Sequence, residues 1–181
     1  RLPTLDVRCG GSLALVRGMP AKSVHMAVCS PPSFGLRDYN CEGQIGHEPT
    51  PSAFVAKLVE LFGELKRVLR ADATLWVNLG DTYAANRGYQ VVSTKGGPKH
   101  GIGQAVGGSG SRVPEGLKPK DRIGIPHRFA FAMQDAGWYW RDEIVWSKKS
   151  PMPESVTDRT TKAHEFVFMF SKQERYFYDA V

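Results

Sequence analysis

Ser30, Pro31 and Pro32 bring a hydroxyl and consecutive carbonyl oxygens to one point of the chain with few N–H donors beside them. Each proline removes a backbone donor and fixes φ, so the turn is stiff and its oxygens are held in place. Such a turn suits a ligand that donates, an amino group above all. The apolar run VHMAV at residues 24–28 precedes it and Gly35 follows, which places the turn where a buried strand ends in a loop. A proline-rich strand-to-loop turn with no chemistry has the same local signature, and the tripeptide alone does not separate the two readings.

Five segments read as strands: Leu5–Cys9, Val24–Cys29, Ala73–Leu79, Tyr139–Ser147 and Glu165–Ser171. Between the second and third, Phe54, Leu58, Leu61, Phe62, Leu65, Val68 and Leu69 recur three and four apart, which predicts a helix with Thr50 as its cap and Pro51 in its first turn. A second helix is predicted from about Pro126 to Asp135, with Phe129, Ala130 and Met133 on one face and a stop at Gly137. Strand, helix and strand in this order predict a right-handed parallel crossover and a doubly wound α/β sheet. In such a sheet the active loop lies at the carboxyl end of a strand, where Ser30 stands.

The 181 residues, 41% of them hydrophobic, are enough for one domain with a substantial core. No run of 18 apolar residues predicts a membrane span, and RLPTLDVRC lacks the apolar stretch of a signal peptide. Cys9, Cys29 and Cys41 are odd in number and lack metal-ligand spacing, and His25 and His47 add no paired motif. Reduced thiols, no metal and a cytoplasmic location are the expectation.

The net charge of +6 is concentrated. Residues 84–122 hold Arg87, Lys95, Lys99, Arg112, Lys118, Lys120 and Arg122 against Glu115 and Asp121, a balance of +5. The stretch is glycine-rich and without apolar periodicity, so it reads as a flexible basic insertion within a single region spanning 1–181. A clamp on nucleic-acid phosphates and a solvated insertion both fit that composition. Gly80-Asp81, after ATLWVNLG, reads equally as an ordinary turn or as an acidic group facing the site. Trp138, Tyr139, Trp140 and Trp146 flank a strand and read as core in preference to base-stacking surfaces. His164-Glu165 reads as positioning or capping.

Ser30-Pro31-Pro32 is joined, in order, by Gly35-Leu36-Arg37-Asp38-Tyr39, Gly43-Gln44-Ile45-Gly46, Leu75-Trp76-Val77-Asn78-Leu79-Gly80-Asp81, Lys118-Pro119-Lys120-Asp121, Gly124-Ile125-Pro126 and Lys162-Ala163-His164-Glu165. With these blocks, over roughly residues 5 to 179, the chain resembles the amino-methylating DNA methyltransferases that act on cytosine N4 or adenine N6, in a prophage-type branch. The resemblance implies a Rossmann-like methyltransferase sheet, S-adenosylmethionine as cofactor, flipped-out DNA as substrate and a prokaryotic or phage origin. The Ser form of the motif leans toward cytosine N4.

Residue by residue, the resemblance implies that Ser30, Pro31, Pro32 and Phe34 are catalytic and that Cys29, Ser30 and Pro31 line the cofactor; by position Ser33 and Asp81 are expected to face the base, and by charge Arg37, Arg112, Lys118, Lys120 and Arg122 are expected to contact DNA. Ser33 stands where the family places an aromatic, so Phe34 is the expected stacking surface; Gly10-Gly11 replaces the family's Gly-Asp. The family's cofactor loop, Asp-Pro-Phe-x-Gly-Ser-Gly after a strand, has no counterpart: residues 104–110, QAVGGSG, lack the preceding strand and read as a flexible loop. The sheet is therefore expected to be incomplete, with a further segment or a second polypeptide supplying the cofactor loop. Adenine N6 methylation, a catalytically defective DNA-binding relative, and methylation of an RNA or protein amine are the alternatives.

Overall fold

The computed structural model describes residues 4–36, 39, 41–84, 113 and 116–180. Helix α1 spans Ser12–Arg17, strand β1 Val24–Cys29, helix α2 Pro51–Val68, strand β2 Leu69–Leu79, helix α3 Ile125–Asp135, strand β3 Tyr139–Ser147 and strand β4 His164–Ser171. Helix α2 starts as its sequence predicts: Thr50 is extended and its Oγ1 accepts from the Ala53 N–H at 3.1 Å, with Pro51 at the first helical position. At its other end Leu69 turns straight into β2, so this strand begins four residues before the expected Ala73. Helix α3 stops before Gly137, whose φ of 81° takes the left-handed conformation that closes a helix.

The sheet order is β1-β2-β4-β3. β1 and β2 run parallel, as a βαβ crossover requires, while β4 lies antiparallel between β2 and β3. The alternating βα reading of the sequence did not distinguish this antiparallel insertion. The predicted strand Leu5–Cys9 is not formed. Leu5 and Val7 are exposed, and without a neighbouring ladder their alternating pattern has nothing to pair with.

Leu75, Val77 and Leu79 of β2 and Phe166, Phe168 and Phe170 of β4 share one face and are registered opposite one another. Against them pack Phe54, Leu58 and Phe62 of α2 and Phe129 and Met133 of α3, all buried; the Phe62 and Phe129 rings lie 5.4 Å apart. Each such side chain contributes about 1.5–3 kcal/mol relative to exposure. The opposite face keeps Met26, Val28 and Trp146 at 57%, 68% and 55% exposure. The described residues thus supply one of the two helical layers of a doubly wound sheet, in line with the incomplete sheet expected. No helix among the described residues is long and apolar enough to cross a membrane.

Candidate functional site

The site forms where β1 and β2 end and β4 begins. Ser30 follows β1 directly and is exposed. In the parallel register Cys29 lies opposite Val77, so Ser30 and Asn78 fall side by side on one face of the sheet. The Ser30 hydroxyl donates to Asn78 Oδ1 at 3.3 Å, and Asn78 Nδ2 donates to the Phe166 carbonyl on β4, also at 3.3 Å. Pro31, Pro32 and Ser33 are half-buried.

A second loop braces the turn. The Gly35 N–H donates to the Gly46 carbonyl at 2.7 Å, and the Gly46 N–H donates to Glu48 Oε2 at 2.8 Å. Gly46 adopts a φ of 108°, and a Cβ there would sit 3.0 Å from the Ser33 carbonyl oxygen. Only glycine combines that conformation with so close an approach. This gives a physical role to the Gly43-Gln44-Ile45-Gly46 block.

Three expectations are revised by the geometry. Phe34, expected as the stacking surface, is 2% exposed, with its ring 5.4 Å from that of Phe54; it fills the core beside α2, and a buried ring has no face to offer a base. The Cys29 side chain also turns away from the site. Its thiol donates to the Trp76 carbonyl at 3.8 Å, and burial pushes its pKa up to about 11, so the side chain is engaged with β2 as a neutral thiol. Asp81, expected to face the base, directs its buried carboxylate into α3. Oδ1 accepts from the N–H groups of Thr82, Gly124 and Ile125 at 2.9, 2.9 and 3.0 Å, and Oδ2 accepts from Arg122 Nε at 2.6 Å. A carboxylate at a helix N-terminus answers both its orphan donors and its dipole, and Gly124, the residue before α3, has no side chain to do so.

The polar rim comes mainly from the chain entering β4. Lys162 Nζ donates to the Asp81 main-chain carbonyl, and burial lowers the Lys162 pKa against the opposing pull of Asp81 and Glu165. Glu165 pairs with Lys148 across the β3–β4 turn. Asn78 and Lys162 were missed as individual residues, although each lies in one of the ordered sequence blocks; Glu165 was read with His164 as positioning or capping.

Of the basic residues, Arg37 and Arg112 lie outside the described residues, as do most of 84–122 and the loop at 104–110. The described base of the insertion is a hydrogen-bonded neck. Ala84 N–H donates to the Asp121 carbonyl at 2.7 Å, Lys120 N–H to the Ala84 carbonyl at 2.7 Å and Ile123 N–H to the Thr82 carbonyl at 3.0 Å. Lys118 is 84% exposed, Lys120 pairs with Asp158 at 2.6 Å, and Arg122 is held by Asp81. Trp138 is buried against Phe170, while Trp146 is exposed.

An exposed hydroxyl whose proton is directed sideways, on a stiff turn at a strand's carboxyl end, can accept from a donor approaching from outside the sheet. Comparisons with known proteins place the chain in a family. A family model described as "DNA methylase", of the N6/N4 type, matches residues 24–181. Type II methyltransferase M.Cfr9I of Citrobacter freundii is 51% identical over 171 residues, covering 94% of this chain and 55% of its own length. Type II methyltransferase M.SmaI of Serratia marcescens is 42% identical over 178 residues, covering 98% of this chain and 59% of its own length. The chain therefore spans about half the length of the relatives it matches. Among solved structures, PvuII DNA methyltransferase (cytosine-N4-specific) superposes with a TM-score of 0.61 at 19% identity, over 92% of this chain and 49% of that one, a likeness of fold.

Proposed function

The chain belongs to the DNA methylase family of the N6/N4 type, and from that premise we propose that it forms the methyl-accepting half of a type II DNA methyltransferase acting on an exocyclic base amine, cytosine N4 in the first instance. One observation carries the reading: Ser30 Oγ stands exposed on a stiff turn with its proton directed to Asn78, leaving acceptor lone pairs for an incoming N–H. An exocyclic amine is a poor nucleophile because its lone pair is delocalised into the ring. Hydrogen bonds from its N–H groups to Ser30 Oγ and the Pro31 carbonyl favour a tetrahedral nitrogen with a localised lone pair. As the new N–C bond forms, positive charge grows on that nitrogen, and the same oxygens stabilise it until the proton leaves to solvent. A duplex hides the amine, so the base is flipped out to reach the turn.

The cofactor we propose is S-adenosylmethionine, which when bound supplies an electrophilic methyl group on a sulfonium. The turn suits the methyl-accepting side of such a site, since it presents oxygen acceptors at the carboxyl end of β1. We propose that the glycine-rich cofactor loop expected of the family comes from a further segment or a second polypeptide. DNA is the proposed substrate, with Lys118 and the neighbouring basic insertion on its phosphates. Restriction-modification is the setting that the type II relatives suggest.

The test is Ser30→Ala in the complete enzyme. Turnover should fall roughly ten- to a thousandfold, the scale of losing one oriented transition-state partner, with DNA affinity little changed. Turnover at the wild-type rate would remove Ser30 from the mechanism. Nucleoside mass spectrometry of the product distinguishes N4-methylcytosine from N6-methyladenine. The second reading, a DNA-binding relative without catalysis, draws on the burial of Phe34 and predicts no methylated base from the complete wild-type protein.

A further inference from the structure

A serine hydroxyl can act on an amine in two opposite ways. As an acceptor it takes the amine N–H and concentrates charge on nitrogen. As a donor it offers its proton to the nitrogen lone pair and blocks the electrons that must form the new bond. We propose that Asn78 is a positioning residue that selects the acceptor role of Ser30. The proposal rests on the reading of Ser30 given above.

The selection follows from which atom of Asn78 faces which neighbour. Oxygen and nitrogen of a side-chain amide are told apart by their partners. The Phe166 carbonyl can only accept, and it lies 3.3 Å from Asn78 Nδ2, so the amide nitrogen must face β4. That leaves Oδ1 facing β1, 3.3 Å from Ser30 Oγ. An amide oxygen can only accept, so the Ser30 proton goes to Asn78 and both Ser30 lone pairs point away from it. Phe166 is itself fixed: it lies opposite Leu79 in the β2–β4 ladder and is buried beside the His127 and Phe168 rings. A relay from a central strand through one amide thus sets the direction of the hydroxyl before any substrate arrives. Such a relay is legible only in three dimensions, because Ser30, Asn78 and Phe166 are 48 and 88 residues apart along the chain.

The test is a double-mutant cycle in the complete enzyme, with Asn78→Leu, Ser30→Ala and the pair measured for kcat, for KM on duplex DNA and for S-adenosylmethionine affinity. If Asn78 acts through Ser30, Asn78→Leu lowers kcat about tenfold with KM and cofactor affinity within twofold. Added to Ser30→Ala, it lowers kcat by less than a further twofold. Losses that multiply, or a kcat unchanged by Asn78→Leu while Ser30→Ala is impaired, would overturn the positioning role and leave Ser30 in place. A Ser30→Ala enzyme of wild-type turnover would instead sink the underlying reading. Should Asn78→Leu fail to fold, Asn78→Ala takes its place in the cycle, and the same outcomes support or overturn the role.

Discussion

Replacing Asp81 tests whether that carboxylate serves the fold or the substrate. Its two oxygens do separable jobs: Oδ1 accepts three backbone N–H groups, including the first two at the start of α3, and Oδ2 pairs with Arg122. Asp81→Ala removes the cap, which costs about 0.5–2 kcal/mol in ordinary helices. It also leaves a buried N–H on Ile125 without a partner, at about 1–3 kcal/mol. The Arg122 contribution is small, because its side chain is 42% exposed and water takes the place of the carboxylate. The expected loss is about 2–5 kcal/mol, a large share of the roughly 5–15 kcal/mol that holds a domain folded. Asp81→Asn keeps an oxygen for the three N–H groups but sets its NH2, a donor, against the Arg122 guanidinium, which must swing out to water, so it should cost about 1–2 kcal/mol, less than Asp81→Ala. Urea unfolding of the complete enzyme, followed by circular dichroism, reads both. Equal midpoints for the Ala and Asn variants would show that Oδ1 is not holding α3. A folded Asp81→Asn enzyme with kcat reduced a hundredfold or more would return Asp81 to the base pocket.

Gly46→Ala should impair both stability and turnover, since a methyl group would meet the Ser33 carbonyl at 3.0 Å on a backbone at φ 108°; a strain of about 1–3 kcal/mol is expected, and unchanged melting and kcat would show that the brace is dispensable. Cys29 should resist iodoacetamide at pH 8 while the exposed Cys9 and Cys41 are alkylated, as peptide mapping by mass spectrometry can show. Burial raises the Cys29 pKa from 9.0 to about 11, so the folded state favours the neutral thiol. Its stabilising effect is complete below about pH 9 and is lost between about 9 and 11, and Cys29→Ala should flatten unfolding curves over that window. Replacing Arg112, Lys118, Lys120 and Arg122 by Gln should reduce the slope of log DNA affinity against log salt by about 0.9 for each phosphate no longer neutralised, roughly 3 to 4 if all four engage. Equal slopes by fluorescence anisotropy would place the DNA-binding surface elsewhere.

Most elements were legible because local signals agreed with tertiary ones. The α2 stripe, Thr50 and Pro51 fixed a helix start that the hydrogen bond from Ala53 reproduces, and the bounds of β1 and β3 match the apolar runs read from the chain. The order of the strands was less legible, because the place of β4 is set by its long-range ladders with β2 and β3, and the sixteen-residue loop after Ser147 carries no local signal of that pairing. Leu5–Cys9 failed for a related reason: an alternating pattern names the side chains a strand would need and says nothing about whether a neighbour is present.

The misreadings of Phe34 and Asp81 share one cause. Both were placed by adjacency to motif residues, yet a side chain's direction is decided by what lies across from it. Phe34 is two residues beyond Pro32 along the chain, but it packs on Phe54, at the start of α2. For Asp81 a signal did exist in the sequence. The block Gly124-Ile125-Pro126 opens a helix with none of the usual capping side chains before it. Two backbone donors at that start had to be satisfied from elsewhere, and a buried acid after a core strand was the available candidate. Capping by a residue 43 positions away also ties the end of β2 to the start of α3 across the basic insertion. The carboxylate therefore holds together the frame in which Asn78 can direct Ser30, and its influence on chemistry should run through that frame without contact to the base.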